Sequence, residues 1–77
     1  MQIRVRFFAS LRDGLGLSDR AVELPAGATV ADVWAAASDG RERPPAILAA
    51  RNMEYTDYGT PVADGDEVAF FPPVTGG

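Results

Sequence analysis

Seventy-seven residues make one small domain, 1–77, with no room for a second core. At 47% hydrophobic and 23% charged residues the chain has the composition of a folded protein rather than a disordered tail. Cys and His are both absent, which excludes disulfides, thiolate metal sites and a cysteine nucleophile, and removes the commonest metal ligand and general base.

A net charge of −4 and a pI near 4.5 argue against nucleic acid or anionic membrane as the main partner. Polar residues interrupt every apolar stretch well before the roughly 20 residues that a membrane helix needs. Residues 1–6 have strand character without signal-peptide anatomy, so the expectation is a soluble, cytoplasmic protein. All seven basic residues are Arg, and Lys is absent. Compositional bias toward Ala and Gly accounts for most of this. The functional reading beside it is that the chain offers no side-chain amine to an activated acyl group.

Residues 2–8 alternate, with Ile3, Val5 and Phe7 on one face and Arg4, Arg6 and Phe8 on the other. That period of two predicts a strand with one face in a core. Gly14 and Gly16 limit the next segment to one turn of helix around residues 10–12, followed by a loop. A second strand follows at 21–24, with Val22 and Leu24 inward, ended by Pro25-Ala26-Gly27. Thr29 is a favourable N-cap with Asp32 three residues on. Val30, Val33, Trp34 and Ala37 then form one helical stripe that Gly40 stops. Trp34 is read as a core anchor. Residues 47–51 predict a third strand, 53–55 a short fourth, and 67–71 the last, after turns at 57–59 and at Asp64-Gly65. In the last strand Val68 and Phe70 share one face, Ala69 and Phe71 the other. One main helix covering a mixed sheet of four to five strands is an α+β arrangement; such a roll resembles the ubiquitin-like, or β-grasp, proteins.

The side chains offer little for catalysis. Asp64, Asp66 and Glu67 lack the spacing of a calcium loop and are expected to be solvated beside their Gly turn. A Ser nucleophile would have no His base, and Gly14-Leu15-Gly16 is too short for a phosphate loop. No metal and no bound cofactor are expected.

The tail, residues 72–77, is more informative. Pro72 and Pro73 make a stiff extended spacer, and six residues can reach roughly 20 Å. Gly76 and Gly77 carry no side chain, so they can pass through a channel just wide enough for backbone. With little to pack against, the tail is expected to be mobile.

The run from Asp64 to Gly77, DGDEVAFFPPVTGG, resembles the C-terminal signature of the molybdopterin synthase small subunits, a family of ubiquitin-like sulfur carriers. The segments Val5-Arg6-Phe7-Phe8-Ala9, Leu11-Arg12, Thr29-Val30, and Leu48-Ala49-Ala50 with Asn52 fit as well. Arg51 departs from the pattern, where family members usually carry Val, and leaves the register of the third strand open.

The resemblance implies that the Gly77 carboxylate is adenylated with ATP by a ubiquitin-activating-like adenylyltransferase. A sulfur donor, such as a cysteine desulfurase or a rhodanese, then converts it to a thiocarboxylate. The tail would enter the large subunit of the synthase, in a heterotetramer with two copies of each chain, and donate sulfur to cyclic pyranopterin monophosphate to form the molybdopterin dithiolene. On this reading the chain is a protein co-substrate, not an enzyme by itself. Gly77 is the modified residue, Gly76 the slender segment behind it, and Pro72, Pro73, Val74 and Thr75 contact the partner.

Phe8 and Phe71 fall on the side of their strands opposite the core and are expected to form an exposed aromatic docking patch. Tyr55 is a third candidate, and Arg4, Arg6 and Arg12 could frame the patch with charge. The alternatives are a sister carrier for thiamine, cysteine or tRNA thiolation, or a ubiquitin-like binding module with an idle terminus.

Overall fold

Residues 1–14, 16–44 and 46–73 are described by the computed structural model. The elements follow in the order β1 (Gln2–Phe7), α1 (Ser10–Asp13), β2 (Arg20–Glu23), α2 (Val30–Ala37), β3 (Leu48–Arg51), β4 (Glu54–Thr56) and β5 (Glu67–Phe71). The strands form one mixed sheet in the order β2-β1-β5-β3-β4. The central pair, β1 and β5, is parallel, with Phe7 beside Phe70; every other pairing is antiparallel.

Alternation along the strands decides which face is covered. Ile3, Val5 and Phe7 of β1, Val22 of β2, Ala49 of β3 and Val68 and Phe70 of β5 are all buried in one core. Val30, Val33, Trp34 and Ala37 of α2 are buried in that same cluster. Phe7 and Phe70 stack at 5.8 Å, and Trp34 meets both edge-on at 5.9 and 5.2 Å, the tilted geometry that suits the ring quadrupole. The Trp34 indole N–H donates to the Arg41 carbonyl, so its polar end is satisfied.

Helix α2 starts where a reciprocal capping box forms. The Thr29 hydroxyl accepts from the Asp32 amide, and the Asp32 carboxylate accepts from the Thr29 amide at 2.8 Å. Helix α1 is a single turn whose Leu11 enters the core.

The second strand starts and ends one residue earlier than expected, and the fourth ends one residue later, at Thr56. The third and fourth strands each start one residue later than expected, for which backbone conformation gives the reason. Ala46 has a φ of 66°, so extended pairing begins at Leu48 rather than at 47, and Ile47 is buried with its carbonyl accepting from the Tyr58 hydroxyl. Asn52 and Met53 have φ of 51° and 71°, the left-handed pair that closes a two-residue hairpin whose twist matches its strands. The fourth strand therefore starts at Glu54, with Glu54 paired to Arg51.

Ser38, at the end of α2, is completely buried, and its Oγ has no hydrogen-bond partner. Because no bond is lost, Ser38→Ala is expected to leave the unfolding free energy unchanged or raise it by up to about 1 kcal/mol. Phe70→Ala should lower it by about 3–5 kcal/mol through loss of its contacts and the cavity left behind. Chemical denaturation of the two variants checks the contrast.

Candidate functional site

The face of the sheet opposite α2 has no layer over it among the described residues. The register brings onto this outer face Phe8 beyond the end of β1, Ala69 and Phe71 of β5, Leu48 and Ala50 of β3, and Tyr55 of β4. Leu48 pairs with Phe71, Ala50 pairs with both Ala69 and Tyr55, and the Phe8 amide donates to the Phe70 carbonyl. The rings of Tyr55 and Phe71 lie 5.8 Å apart. Tyr55 is 78% exposed, Phe8 38% and Leu48 37%, whereas Phe71 is half-buried by these neighbours. The result is one apolar patch rather than two isolated aromatics.

The patch lies at the end of the sheet from which the tail leaves. Strands β1 and β5 are parallel, so Phe8, α1 and the exit from β5 share one edge of the sheet. Arg12, on α1 at that edge, is exposed. Pro72 is half-buried and Pro73 exposed as the chain departs. Val74, Thr75, Gly76 and Gly77, with the expected mobility of the tail, lie outside the described residues.

Of the expected site residues, the fold thus gathers Phe8, Tyr55, Phe71, Arg12, Pro72 and Pro73 at one end. Leu48, Ala50 and Ala69 belong to the same patch, although the sequence reading did not single them out. The alternation in 69–71 carries a signal for Ala69. The membership of Leu48 and Ala50 depends on a pairing register that single strands do not reveal.

Charge is placed with equal specificity. The Arg6 guanidinium lies 5.1 Å from the centroid of the Phe8 ring, a cation–π contact, and also reaches Asp19 at 3.6 Å and Glu67 at 3.8 Å.

The acidic cluster departs from its expected solvation. Asp66 is only 7% exposed and accepts hydrogen bonds from Arg51 Nε, from Asn52 Nδ2 at 3.0 Å and from the Ala63 amide at 2.8 Å. Burial pushes the Asp66 pKa up, but these three donors and the charge of Arg51 outweigh it and hold the carboxyl below its ordinary value. Asp64 caps the Gln2 amide, and Glu67 faces Arg6. Among the described residues no group of three or more potential ligands could hold a metal ion, and no helix is long and apolar enough to cross a membrane.

Arg51 also finds its place here. It pairs with Val68 on the core side of β3, where a guanidinium needs a partner, and Asp66 supplies one. Asn52 closes the clamp: its amide donates to the Glu67 carbonyl, and its side-chain oxygen accepts from the Glu67 amide. The hairpin that carries Tyr55 is thereby locked to the start of β5.

The five-stranded mixed sheet with its crossing helix is the ubiquitin-like β-grasp fold, and SAMP1 from Haloferax volcanii superposes on it with a TM-score of 0.83, at 30% identity over all of both chains. The ThiS family pattern matches residues 5–77, and the chain belongs to that family. It is 41% identical to the molybdopterin synthase sulfur carrier subunit of Escherichia coli (strain K12), over 97% of this chain and 99% of that one. It is 35% identical to the protein of the same name from Chlamydomonas reinhardtii, over the full length of both.

The depressed Asp66 pKa has a definite sign. A carboxyl with a lower pKa folded than unfolded stabilises the fold above its unfolded value, near pH 4, and that stabilisation is lost as the pH falls through the folded value. Asp66→Asn is therefore expected to be less stable than wild type at pH 7 and to lose less on acidification below about pH 4. Thermal unfolding midpoints measured across that range test it; parallel curves would show that Asp66 does not carry this pH dependence.

Proposed function

We propose that the chain is the sulfur-carrying subunit of a molybdopterin synthase, with Gly77 as the reactive end. The observation that carries this reading is that one strand serves both tasks. Strand β5 sets Phe71 in the apolar patch and, after Pro72-Pro73, leads into the glycines, so a partner that covers the patch sits where the tail arrives. The names and coverage of the two relatives support the same reading.

Gly77 ends in a carboxylate, a poor electrophile. Transfer of AMP from ATP to that carboxylate, with release of pyrophosphate, makes a mixed anhydride with a good leaving group. Attack by a persulfide-bearing sulfur donor at the carbonyl expels AMP and forms an acyl disulfide. A thiol then attacks the donor's sulfur, going itself into a disulfide with the donor, and the thiocarboxylate leaves. This sulfur nucleophile needs no Cys, in keeping with a chain that has none. Two such carriers, acting in succession, would supply the two sulfurs of the dithiolene to cyclic pyranopterin monophosphate. The groups that act on the pterin belong to the large subunit, and this chain contributes the sulfur, the slender tail and the surface that positions it.

Intact-mass analysis after incubation with the activating enzyme, ATP and a sulfur source should show the replacement of one oxygen by sulfur, absent when Gly77 is deleted. The thiolated protein with the large subunit and the pterin precursor should then give molybdopterin. No mass change would leave a binding module with an idle terminus; thiolation without product would point to thiamine, cysteine or tRNA thiolation instead. In the same system Phe71→Arg, at a half-buried outer-face position, should weaken binding to the large subunit by at least about tenfold while the domain stays folded. Unchanged affinity would remove Phe71 from the interface.

A further inference from the structure

The outer face has a second half, beside the edge strand β2, that is charged rather than apolar. Arg4, Arg6, Arg20, Asp19, Ala21 and Glu67 line a shallow groove of about 420 Å³ there. It is open because the residue paired with Arg4 on β2 is Ala21, too small to cover the strand.

The three guanidiniums are not equivalent: Arg20 pairs with the buried Val5, so its guanidinium lies on the α2 side of the sheet and only those of Arg4 and Arg6 are on the outer face. Arg20 donates to the Ala37 carbonyl and to Asp39. Arg6 is held by Asp19, Glu67 and the Phe8 ring. Arg4 stands opposite Glu67 in the β1–β5 register, but that carboxylate faces Arg6, and no hydrogen bond or ion pair engages the Arg4 guanidinium among the described residues. A chain of net charge −4 thus places an uncompensated guanidinium on the same face as its apolar patch.

We propose that Arg4 receives an Asp or Glu carboxylate from the protein that docks on Phe71. This rests on the docking reading above. Asp39 pairs with Arg20, and Asp19 and Glu67 pair with Arg6, which leaves Arg4 as the one guanidinium of this group without a paired carboxylate among the described residues. That matches a single side-chain carboxylate, which the planar guanidinium fork can bind with two parallel hydrogen bonds, better than a multiply charged phosphate. The groove is shallow, so it loses its water only beneath a broad protein surface. Arg6, lying over Phe8, makes the charged and apolar halves continuous, and one partner surface can cover both. The partner's footprint should therefore pair an apolar spot with an acidic residue on the side facing β2.

The test is titration calorimetry of the full chain against the purified large subunit of molybdopterin synthase from the same source, at about 50 and about 300 mM NaCl. Arg4→Gln should weaken binding about three- to tenfold at low salt and less at high salt, and Arg4→Glu should weaken it further. Arg4→Lys, which keeps the charge but not the fork, should fall between wild type and Arg4→Gln. Since Arg4 is exposed, all three should keep the wild-type unfolding midpoint. Low-salt affinities within about twofold of wild type for Arg4→Gln and Arg4→Lys, with Phe71→Arg still impaired, would overturn the carboxylate contact alone. No binding by wild type, or normal binding by Phe71→Arg, would overturn the docking reading and this inference with it. Saturable binding of ATP or inorganic phosphate to the free chain, lost in Arg4→Gln, would assign the groove to a small anion and overturn the proposal.

Discussion

The parallel pairing of β1 with β5 is the constraint on which the rest of the molecule depends. Parallel neighbours cannot be joined by a tight turn, and here the connection holds α2 and the other three strands. What fixes the pair is the aromatic cluster beneath it, Phe7 stacked on Phe70 with Trp34 edge-on to both. An antiparallel β5 would send its end to the opposite edge of the sheet. The parallel one delivers Phe71, Pro72 and the segment beyond to the edge where Phe8 and α1 already lie. The core therefore determines where the chain leaves β5 relative to the apolar patch, and in the proposed reaction no core residue touches either partner or substrate.

Electrostatics refine that arrangement on both sides of the sheet. On the core side, Arg51 and Asp66 neutralise each other, and with Asn52 they tie the β3–β4 hairpin to β5. A half-buried pair of this kind is weak grounds for net stability, since desolvation offsets part of the attraction, but removing Arg51 would leave the buried Asp66 carboxylate short of a donor. Its structural consequence is register: the clamp sets Tyr55 against Phe71. On the outer face, Arg6 bridges Asp19, Glu67 and the Phe8 ring, so the boundary between charged and apolar halves is itself a contact.

Much of this was legible in the sequence because two local codes are strong in it. Period-two alternation in β1 and β5 assigned every residue of those strands to its face, and Thr29 with Asp32 marked the start of α2. Non-local features were less legible. The first turn of the β3–β4 unit was missed because neither Asn52 nor Met53 is a glycine, although both adopt left-handed φ. Asp66 read as solvated because its partners lie about fifteen residues away in sequence and meet it only through the sheet. Leu48 and Ala50 joined the patch for the same reason, since cross-strand register is a property of pairs. The resemblance of the tail to sulfur carriers pointed to the chemistry, but only the paired strands show that an apolar patch lies at the end of the sheet where β5 leaves it.

The central claim is that the folded domain delivers its terminus by docking. It is tested most directly by comparing sulfur transfer from the thiocarboxylated chain with transfer from a synthetic thiocarboxylated peptide of residues 72–77. Both are supplied at the same low concentration to the large subunit and cyclic pyranopterin monophosphate. The account predicts rapid transfer from the whole chain and little from the peptide, which has the reactive group but no patch. Equal rates from the two would contradict it, because the sheet and its outer face would then contribute nothing to delivery.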